Sequence, residues 1–388
     1  MAFKILSLDG GGYRGRLTAL MLVELQKAID TVCSQKQIPS KSIFDCFDLI
    51  AGTSTGSLIA AALTIGNSAS DVLDIFKNDG AAIFPAQSLI DLIFKAASTP
   101  LFDGSQLENV LHKYLGQNRL GDLKKALLVT AYDSWNNRPL AFRSYDPACN
   151  GIHLFDACRG SSAYPAGFPS HAIKDDQDTN PYFQSLRAKK SYFSFDHSCE
   201  GRDGLPLIDG GIGANNPAAL ALAERIGSQS LKTWIDKQSP LLATDTETLI
   251  VSFGTGQMPP CINYEKGRGF SAKDWNGHLG NPLLEMMFVG YSRINDELCG
   301  TIVGEQNYFR FQPVLLSDVV DNVLIEKNNV VRISAGEGKD FAGATFQATP
   351  GVNKLFDRVC SNYFYVNDYA KDPDSPEKQL SILANRLV

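Results

Sequence analysis

The chain has 388 residues, 44% of them hydrophobic and 20% charged, a composition typical of a globular protein with material for a large core. A formal net charge of −6 without a dense Lys/Arg cluster argues against nucleic acid as a partner. No run approaches 18 uninterrupted apolar residues, and the amino terminus lacks the apolar segment of a signal peptide. We expect a cytoplasmic protein that does not span a membrane and contacts any membrane only at its surface.

The cysteines are scattered along the chain, without a C-x-x-C pair and without the Cys/His spacing of a zinc site. We therefore expect free thiols in a reducing compartment, with no metal and no cofactor in the chemistry. They are Cys33, Cys46, Cys149, Cys158, Cys199, Cys261, Cys299 and Cys360.

Apolar runs of strand length alternate with segments of helical pattern along the first two thirds of the chain. The predicted strands are Lys4–Leu8, Phe47–Ala51, Leu127–Asp133, Leu205–Asp209 and Thr248–Gly254. The predicted helices are Leu17–Ile29, a segment directly after Ser54, and Pro217–Ile226, which begins with a proline in its first turn. This alternation predicts an α/β fold with a mostly parallel central sheet covered by helices on both faces.

Two stretches do not fit the alternation. Residues 81–99 form an apolar, helix-like insertion that we interpret as packing over the core, with a cap over an acyl-chain cleft as the alternative. Residues 170–200 are polar and aromatic and resemble a surface excursion. We expect one domain over residues 1–320, and a C-terminal extension over residues 321–388 that packs on it.

The segment Phe47–Leu63 joins an apolar run, a Gly-Thr-Ser-Thr-Gly turn and a helix-forming run without a gap. This is the pattern of a nucleophile elbow, in which a sharp strand-to-helix turn exposes the hydroxyl of Ser54. Gly52 and Gly56 fit this interpretation because they lack the Cβ atoms that would clash in so tight a bend. A chance Gly/Ser/Thr-rich turn is the alternative.

A second glycine-rich turn follows the first predicted strand. Gly10, Gly12 and Gly15 spell G-x-G-x-x-G, which on its own indicates a dinucleotide site. That site needs an acidic residue at the tip of a second strand, whereas Asp30 falls inside the helical pattern. Arg14 suits an anionic substrate. We therefore favour an oxyanion hole built from successive backbone N–H groups.

A serine nucleophile needs a base, and the sequence offers two kinds. The histidines are His112, His153, His171, His197 and His278. Of these, only His278 follows an acid in the chain order of α/β-hydrolases, and its loop has no strand support. Asp209 is the better candidate because it stands at the tip of an apolar strand, before Gly210 and Gly211. Burial near an apolar cleft can raise a carboxyl pKa into the range of a general base; a common Asp-Gly turn is the alternative.

Together these motifs resemble the patatin-like phospholipase family. The matching pieces are Leu8–Gly15, Phe47–Gly56 and Ile208–Gly211, in the family's order. Smaller similarities are Ile83–Pro85, Ser161–Pro169 and Ser252–Gly256. The resemblance covers about residues 3–320 and implies the family's three-layer α/β/α fold.

The resemblance implies a Ser54–Asp209 dyad, with Ser54 as nucleophile and Asp209 as base. It also implies an oxyanion hole formed by Gly10, Gly11 and Gly12, and it aligns Arg14 with an arginine near the lipid phosphate. The expected substrate is a glycerolipid or phospholipid, taken from a membrane surface that the protein contacts transiently. Alternatives are a lipid-binding or storage protein with a weak site, and an effector that a regulatory ligand or oligomerisation activates to degrade membranes.

Overall fold

A central eight-stranded sheet lies between two layers of helices in the computed structural model. The structure describes residues 2–85, 99–165, 167–188, 204–238, 247–257, 262, 264–276, 282–313, 324–326, 329–331, 348, 352–354, 356–357, 359–360 and 375–388. The predicted α/β class and mostly parallel sheet are confirmed.

Five neighbouring strands of the sheet run parallel, in the spatial order β3-β2-β1-β7-β8. They are β1 (Phe3–Leu8), β2 (Leu49–Gly52), β3 (Ala126–Asp133), β7 (Thr248–Phe253) and β8 (Tyr308–Phe311). The strand predictions for β1, β2, β3 and β7 are confirmed. The sequence did not predict β8, because an arginine interrupts its four residues and no long apolar run marks it.

Three further strands complete the sheet around β3. They are β4 (Arg138–Arg143), β5 (His171–Ile173) and β6 (Leu205–Asp209). β4 and β6 pair antiparallel with β3, and β5 pairs antiparallel with β6. The interpretation of residues 170–200 as a surface excursion is therefore wrong at its start, where β5 joins the sheet; residues 189–200 lie outside the described part. A separate antiparallel pair comprises β9 (Leu324–Glu326) and β10 (Asn329–Val331).

The helices cover both faces of the sheet. In chain order they are α1 (Gly15–Gln35), α2 (Ile43–Cys46), α3 (Thr55–Thr64), α4 (Ala69–Ile83), α5 (Ser105–Leu115), α6 (Leu154–Ser161), α7 (Asn180–Ala188), α8 (Gly211–Ala214), α9 (Ala218–Gly227), α10 (Gln229–Gln238), α11 (Tyr264–Gly269), α12 (Ala272–Asn276), α13 (Pro282–Val303) and α14 (Pro376–Leu387). The three predicted helices are confirmed as α1, α3 and α9. None of the helices in the described part of the chain is long and apolar enough to cross a membrane.

The larger core lies on the face of the sheet covered by α1, α3 and α4. Every residue of α3 is buried, because this helix is enclosed by the sheet and its neighbouring helices. α4 begins at a capping box in which Ser68 and Asp71 satisfy each other's backbone N–H groups. The smaller core lies on the opposite face, where α9, α10 and α13 pack. Because α3 is fixed on all sides, the turn that leads into it is held rigidly.

Parts of the C-terminal segment pack on this same domain. Leu383 of α14 is fully buried against α1, and the Lys4 ammonium donates to the Leu387 carbonyl at 2.8 Å. Arg16 of α1 donates to the Asn353 carbonyl at 3.0 Å and pairs with Asp357 at 2.8 Å. These contacts support the proposal that residues 321–388 extend the domain of residues 1–320. Of the expected insertion at 81–99, residues 81–83 belong to α4, and residues 86–98 lie outside the described part.

Candidate active site

Ser54 stands on a strained turn between β2 and α3. Its backbone has φ 52° and ψ −123°, a conformation that residues with a side chain rarely adopt. A Cβ on Gly52 would lie 2.3 Å from the Gly56 carbonyl oxygen, and a Cβ on Gly56 would lie 2.2 Å from the Leu8 carbonyl oxygen. Both positions therefore require glycine, and the turn has the close packing that a nucleophile elbow needs.

The ends of β2 and β6 bring Ser54 and Asp209 together. Both strands lie along the same edge of β3, because β4 occupies its other edge. β2 runs parallel to β3 and ends at Gly52 opposite Val129, whereas β6 runs antiparallel and ends at Asp209 opposite Ala131. The carboxyl ends of the two strands therefore face each other, separated by one residue of β3.

A short hydrogen bond joins the two side chains. The Ser54 hydroxyl donates to Asp209 Oδ2 at 2.7 Å, and the Gly211 backbone N–H donates to Asp209 Oδ1 at 2.7 Å. Both side chains are buried, with Ser54 7% and Asp209 3% exposed. Burial raises the pKa of Asp209 to about 6, although the hydrogen bonds from Ser54 and Gly211 oppose the rise. The carboxylate is therefore ionised at neutral pH and more basic than an exposed aspartate.

The glycine-rich turn lies directly against Ser54. A Cβ on Gly10 would lie 3.2 Å from Ser54 Cβ and 2.5 Å from Asn215 Oδ1. The Gly10 N–H donates to the Asn215 carbonyl at 3.1 Å, and the Gly10 carbonyl accepts from the Thr255 hydroxyl at 3.0 Å. The N–H of Gly10 is thus already engaged. Gly12 has φ 57°, which turns the chain into the short 3₁₀ helix Gly12–Arg14.

Arg14 is buried at the junction between this 3₁₀ helix and α1, with 6% of its surface exposed. Its backbone N–H donates to the Gly11 carbonyl at 3.1 Å, which closes the glycine-rich turn.

Residues Gly210 and Gly211 lead from Asp209 into α8. A Cβ on Gly210 would lie 2.3 Å from the Thr130 hydroxyl oxygen, so the chain can turn here only with glycine.

A buried ion pair next to the glycine-rich turn was not predicted from the sequence. Arg310 of β8 donates to both carboxylate oxygens of Asp9, at 2.9 and 2.6 Å. Arg310 also donates to the hydroxyls of Ser252 and Ser292, at 2.7 and 2.9 Å. Asp9 is 1% exposed and directly precedes Gly10. The only sequence signal for this pair is a charged residue inside the apolar strand Tyr308–Phe311.

Two of the three histidines that the structure describes contact side chains other than Ser54. His112 stacks on the Phe155 ring at a centroid distance of 4.0 Å, and His171 Nε2 lies 2.8 Å from Asp156 Oδ1. His153 precedes α6 as its N-cap. His197 and His278 lie outside the described residues. Within the described ranges no cluster of three or more His, Cys, Asp and Glu side chains could hold a metal ion.

Comparison with known proteins places these motifs in a family. The model of the patatin-like phospholipase family matches residues 6–222, which contain the glycine-rich turn, the serine turn and Asp209. The chain belongs to the patatin-like phospholipase family. Its fold and the order of its motifs agree with the resemblance found in the sequence.

Relatives of this family member come from plants and bacteria. Patatin-like protein 1 of Arabidopsis thaliana is 31% identical over 269 residues, which are 65% of this chain and 58% of that protein. A cGAMP-activated phospholipase of Escherichia coli (strain TW11681) is 29% identical over 258 residues, 65% of this chain and 62% of that protein. The chain thus spans about three fifths of these two relatives. Among solved structures, human GIVD cytosolic phospholipase A2 matches with a TM-score of 0.41 at 12% identity, over 100% of this chain and 61% of that one.

Proposed function

We propose that this family member is a serine lipid acyl hydrolase of the phospholipase A or lysophospholipase type. It cleaves fatty-acyl esters of membrane glycerolipids through a dyad of Ser54 and Asp209. The observation that carries the proposal is the 2.7 Å hydrogen bond from a serine on a strained elbow to a buried aspartate. A merely structural serine gains nothing from an unfavourable backbone conformation, whereas a nucleophile is exposed by it.

In the first half of the reaction, Asp209 takes the Ser54 proton as Oγ attacks the ester carbonyl carbon. The carbonyl oxygen becomes the oxyanion of a tetrahedral intermediate. Collapse of this intermediate breaks the ester bond, and the proton held by Asp209 passes to the departing alcohol oxygen. The products are an acyl-serine at Ser54 and a lysolipid or glycerol derivative.

In the second half, Asp209 removes a proton from a water molecule that attacks the acyl-serine carbonyl. Collapse of the second tetrahedral intermediate returns the proton to Ser54 Oγ and releases the fatty acid. The raised pKa of Asp209, about 6, suits both proton transfers because it lies near neutral pH.

The oxyanion is held by backbone N–H groups of the glycine-rich turn, helped by the N-terminus of α3. Gly11 and Gly12 are the donors in this proposal, because the Gly10 N–H donates to the Asn215 carbonyl. Gly10 contributes the space that Asn215 and Ser54 need. Arg14 is proposed to attract the lipid phosphate, and the protein is proposed to act at the cytoplasmic face of a membrane.

Release of labelled fatty acid from phosphatidylcholine vesicles tests the proposal. Ser54→Ala removes the nucleophile and is expected to abolish release, and Asp209→Asn is expected to reduce it nearly as far. Ser381→Ala on α14 is the matched control and is expected to keep wild-type activity. The assay is run with and without cGAMP, because the Escherichia coli relative is a cGAMP-activated phospholipase.

Two outcomes would contradict the proposal. Retained hydrolysis in Ser54→Ala rejects Ser54 as the nucleophile, and inactivation by His278→Ala favours a triad over the dyad. A fluorophosphonate probe separates an enzyme from a lipid-binding protein, because it labels only an activated serine. Absence of labelling at Ser54 in the wild-type protein would favour the binding protein.

A further inference from the structure

The outer face of α13 carries a continuous stripe of exposed apolar side chains. Apart from the adjacent Met286 and Met287, its members are spaced three or four residues apart, which places them on one side of a helix. Each of them has between 43% and 57% of its surface exposed: Leu283, Met286, Met287, Tyr291, Ile294, Leu298 and Ile302. We call this set the α13 stripe. Of the exposed charged residues on this helix, Arg293 stands at the margin of the stripe and Glu297 falls within its arc.

The inner face of the same helix is anchored beside the proposed dyad. The Phe288 ring lies 3.7 Å from the position that a Cβ on Gly211 would occupy. The Asn295 amide donates to the Asn216 carbonyl at 2.8 Å, and the buried Ser292 hydroxyl accepts from Arg310 at 2.9 Å. These contacts fix the orientation of α13, so the stripe is directed outward by the same packing that builds the site.

The stripe starts at the edge of the sheet where Ser54 lies. α13 connects β7 to the parallel strand β8, so its N-terminal end lies near the carboxyl ends of the strands. The 20 residues from Leu283 to Ile302 extend about 30 Å at 1.5 Å per residue. An exposed apolar surface of this extent is typical of contact with a membrane or with another protein.

We propose that the α13 stripe docks on the lipid bilayer and holds the Ser54 site against the membrane surface. This inference rests on the proposed function, because a hydrolase of membrane glycerolipids must receive its ester from the bilayer. Two observations favour lipid as the occupant. The stripe begins at the site's own edge, and its seven apolar members outnumber Glu297, the charged residue within its arc, as on a helix that lies in the lipid interface. Arg293 at the margin can pair with lipid phosphate.

Sedimentation with phosphatidylcholine vesicles tests docking without catalysis. All proteins carry Ser54→Ala, so no lipid is consumed. Combined substitution of Met287, Ile294 and Leu298 by Gln removes apolar area and keeps a helix-forming residue at each position. We expect the vesicle partition coefficient to fall at least about tenfold, because each half-exposed side chain loses its transfer into lipid. Circular dichroism checks that the variant folds.

The matched control is Ile38→Gln. Ile38 is also an exposed isoleucine, but it follows α1 at the opposite edge of the sheet from Ser54. Its substitution is expected to leave vesicle partition unchanged. A second measurement uses Tyr291→Trp, whose added fluorescence is expected to be quenched by phosphatidylcholine with brominated acyl chains. Quenching of this tryptophan would place the stripe among the acyl chains.

Three results would overturn the docking proposal. They are equal vesicle partition of the triple variant and its parent, absence of quenching at position 291, and a parent that is dimeric without lipid but becomes monomeric in the triple variant. The last result would assign the stripe to a contact between copies of this chain. Failure of the proposed function would give a different result. The protein with its native Ser54 would then dock on vesicles through the stripe and release no fatty acid.

Discussion

Ser161 bonds to Ser54 and to Gly210, the residue that directly follows Asp209. Its hydroxyl oxygen accepts the backbone N–H of Ser54 at 2.8 Å, and its carbonyl accepts the N–H of Gly210 at 3.1 Å. The neighbouring Ala163 carbonyl accepts the N–H of Asp209 at 3.0 Å. The end of α6 thus holds the nucleophile turn and the base in a fixed relation. Because Ser161 is fully buried, water cannot replace its hydroxyl.

Ser161→Ala is expected to lower activity by loosening the elbow. The Ser54 N–H would lose its acceptor in a buried place, which costs about 1–3 kcal/mol of folding free energy. We expect kcat to fall roughly tenfold or more with little change in KM, because the hydroxyl positions the nucleophile. Steady-state kinetics on a soluble ester and urea unfolding measure the two effects. Ser162→Ala, which removes the adjacent hydroxyl, is the control; an equal loss in both variants would refute this role.

The Asp9–Arg310 pair gives the second prediction. Asp9 is 1% exposed, so Arg310→Met would leave a carboxylate buried without its guanidinium. We expect this substitution to lower the free energy of unfolding by about 3–5 kcal/mol. Lys77→Ala is the control because its exposed pair with Asp74 contributes less than about 1 kcal/mol. Similar unfolding free energies for the two variants would show that the buried pair is not needed.

The sequence predicted those parts of the site that each lie in one continuous stretch of the chain. The serine turn and the glycine-rich turn each require glycine for reasons that depend on their own neighbours, so their patterns identify them. Asp209 was a candidate because it ends an apolar strand. The sequence could not show that β6 runs against β3, and this direction is what points Asp209 at Ser54.

Contacts between distant segments were beyond the sequence. Arg310 and Asp9 are 301 residues apart, and neither local pattern specifies the other. The resemblance implied that all three glycines of the turn form an oxyanion hole, because nothing in the sequence showed the bond from Gly10 to Asn215. The stripe on α13 escaped detection for a related reason. From its sequence alone, an apolar helix is interpreted as part of the core. Only the structure shows which of its faces is covered.

Gly56→Ala is the third prediction and tests the close packing of the elbow. A Cβ at this position would lie 2.2 Å from the Leu8 carbonyl oxygen, so the backbone of β1 or α3 would have to move. We expect a loss of about 2–4 kcal/mol in unfolding free energy. Gly300→Ala is the control, since a Cβ there meets nothing within 4 Å and α13 gains helix propensity. A fully stable, active Gly56→Ala protein would contradict the elbow geometry.

The fourth prediction concerns the pH dependence of Asp209. The base must be ionised to accept the Ser54 proton, and its pKa is raised to about 6 by burial. We expect kcat/KM for a soluble ester to rise about tenfold per pH unit below 6 and to level off above it. A profile without an inflection between pH 5 and 7 would contradict Asp209 as the base.

The raised pKa of Asp209 also means that its charged form destabilises the folded protein. The proposed function requires this loss of stability. The folded pKa lies above that of the unfolded chain, so folding favours the protonated carboxyl and disfavours the charged one. The penalty is small below about pH 4, grows as pH rises, and is complete above about pH 6. Asp209→Asn, which cannot ionise, is therefore expected to gain about 1–3 kcal/mol of unfolding free energy at pH 8 and much less at pH 4. Urea unfolding of both proteins at the two pH values measures the difference; a destabilised Asp209→Asn protein at pH 8 would show that the carboxylate's hydrogen bonds outweigh its desolvation.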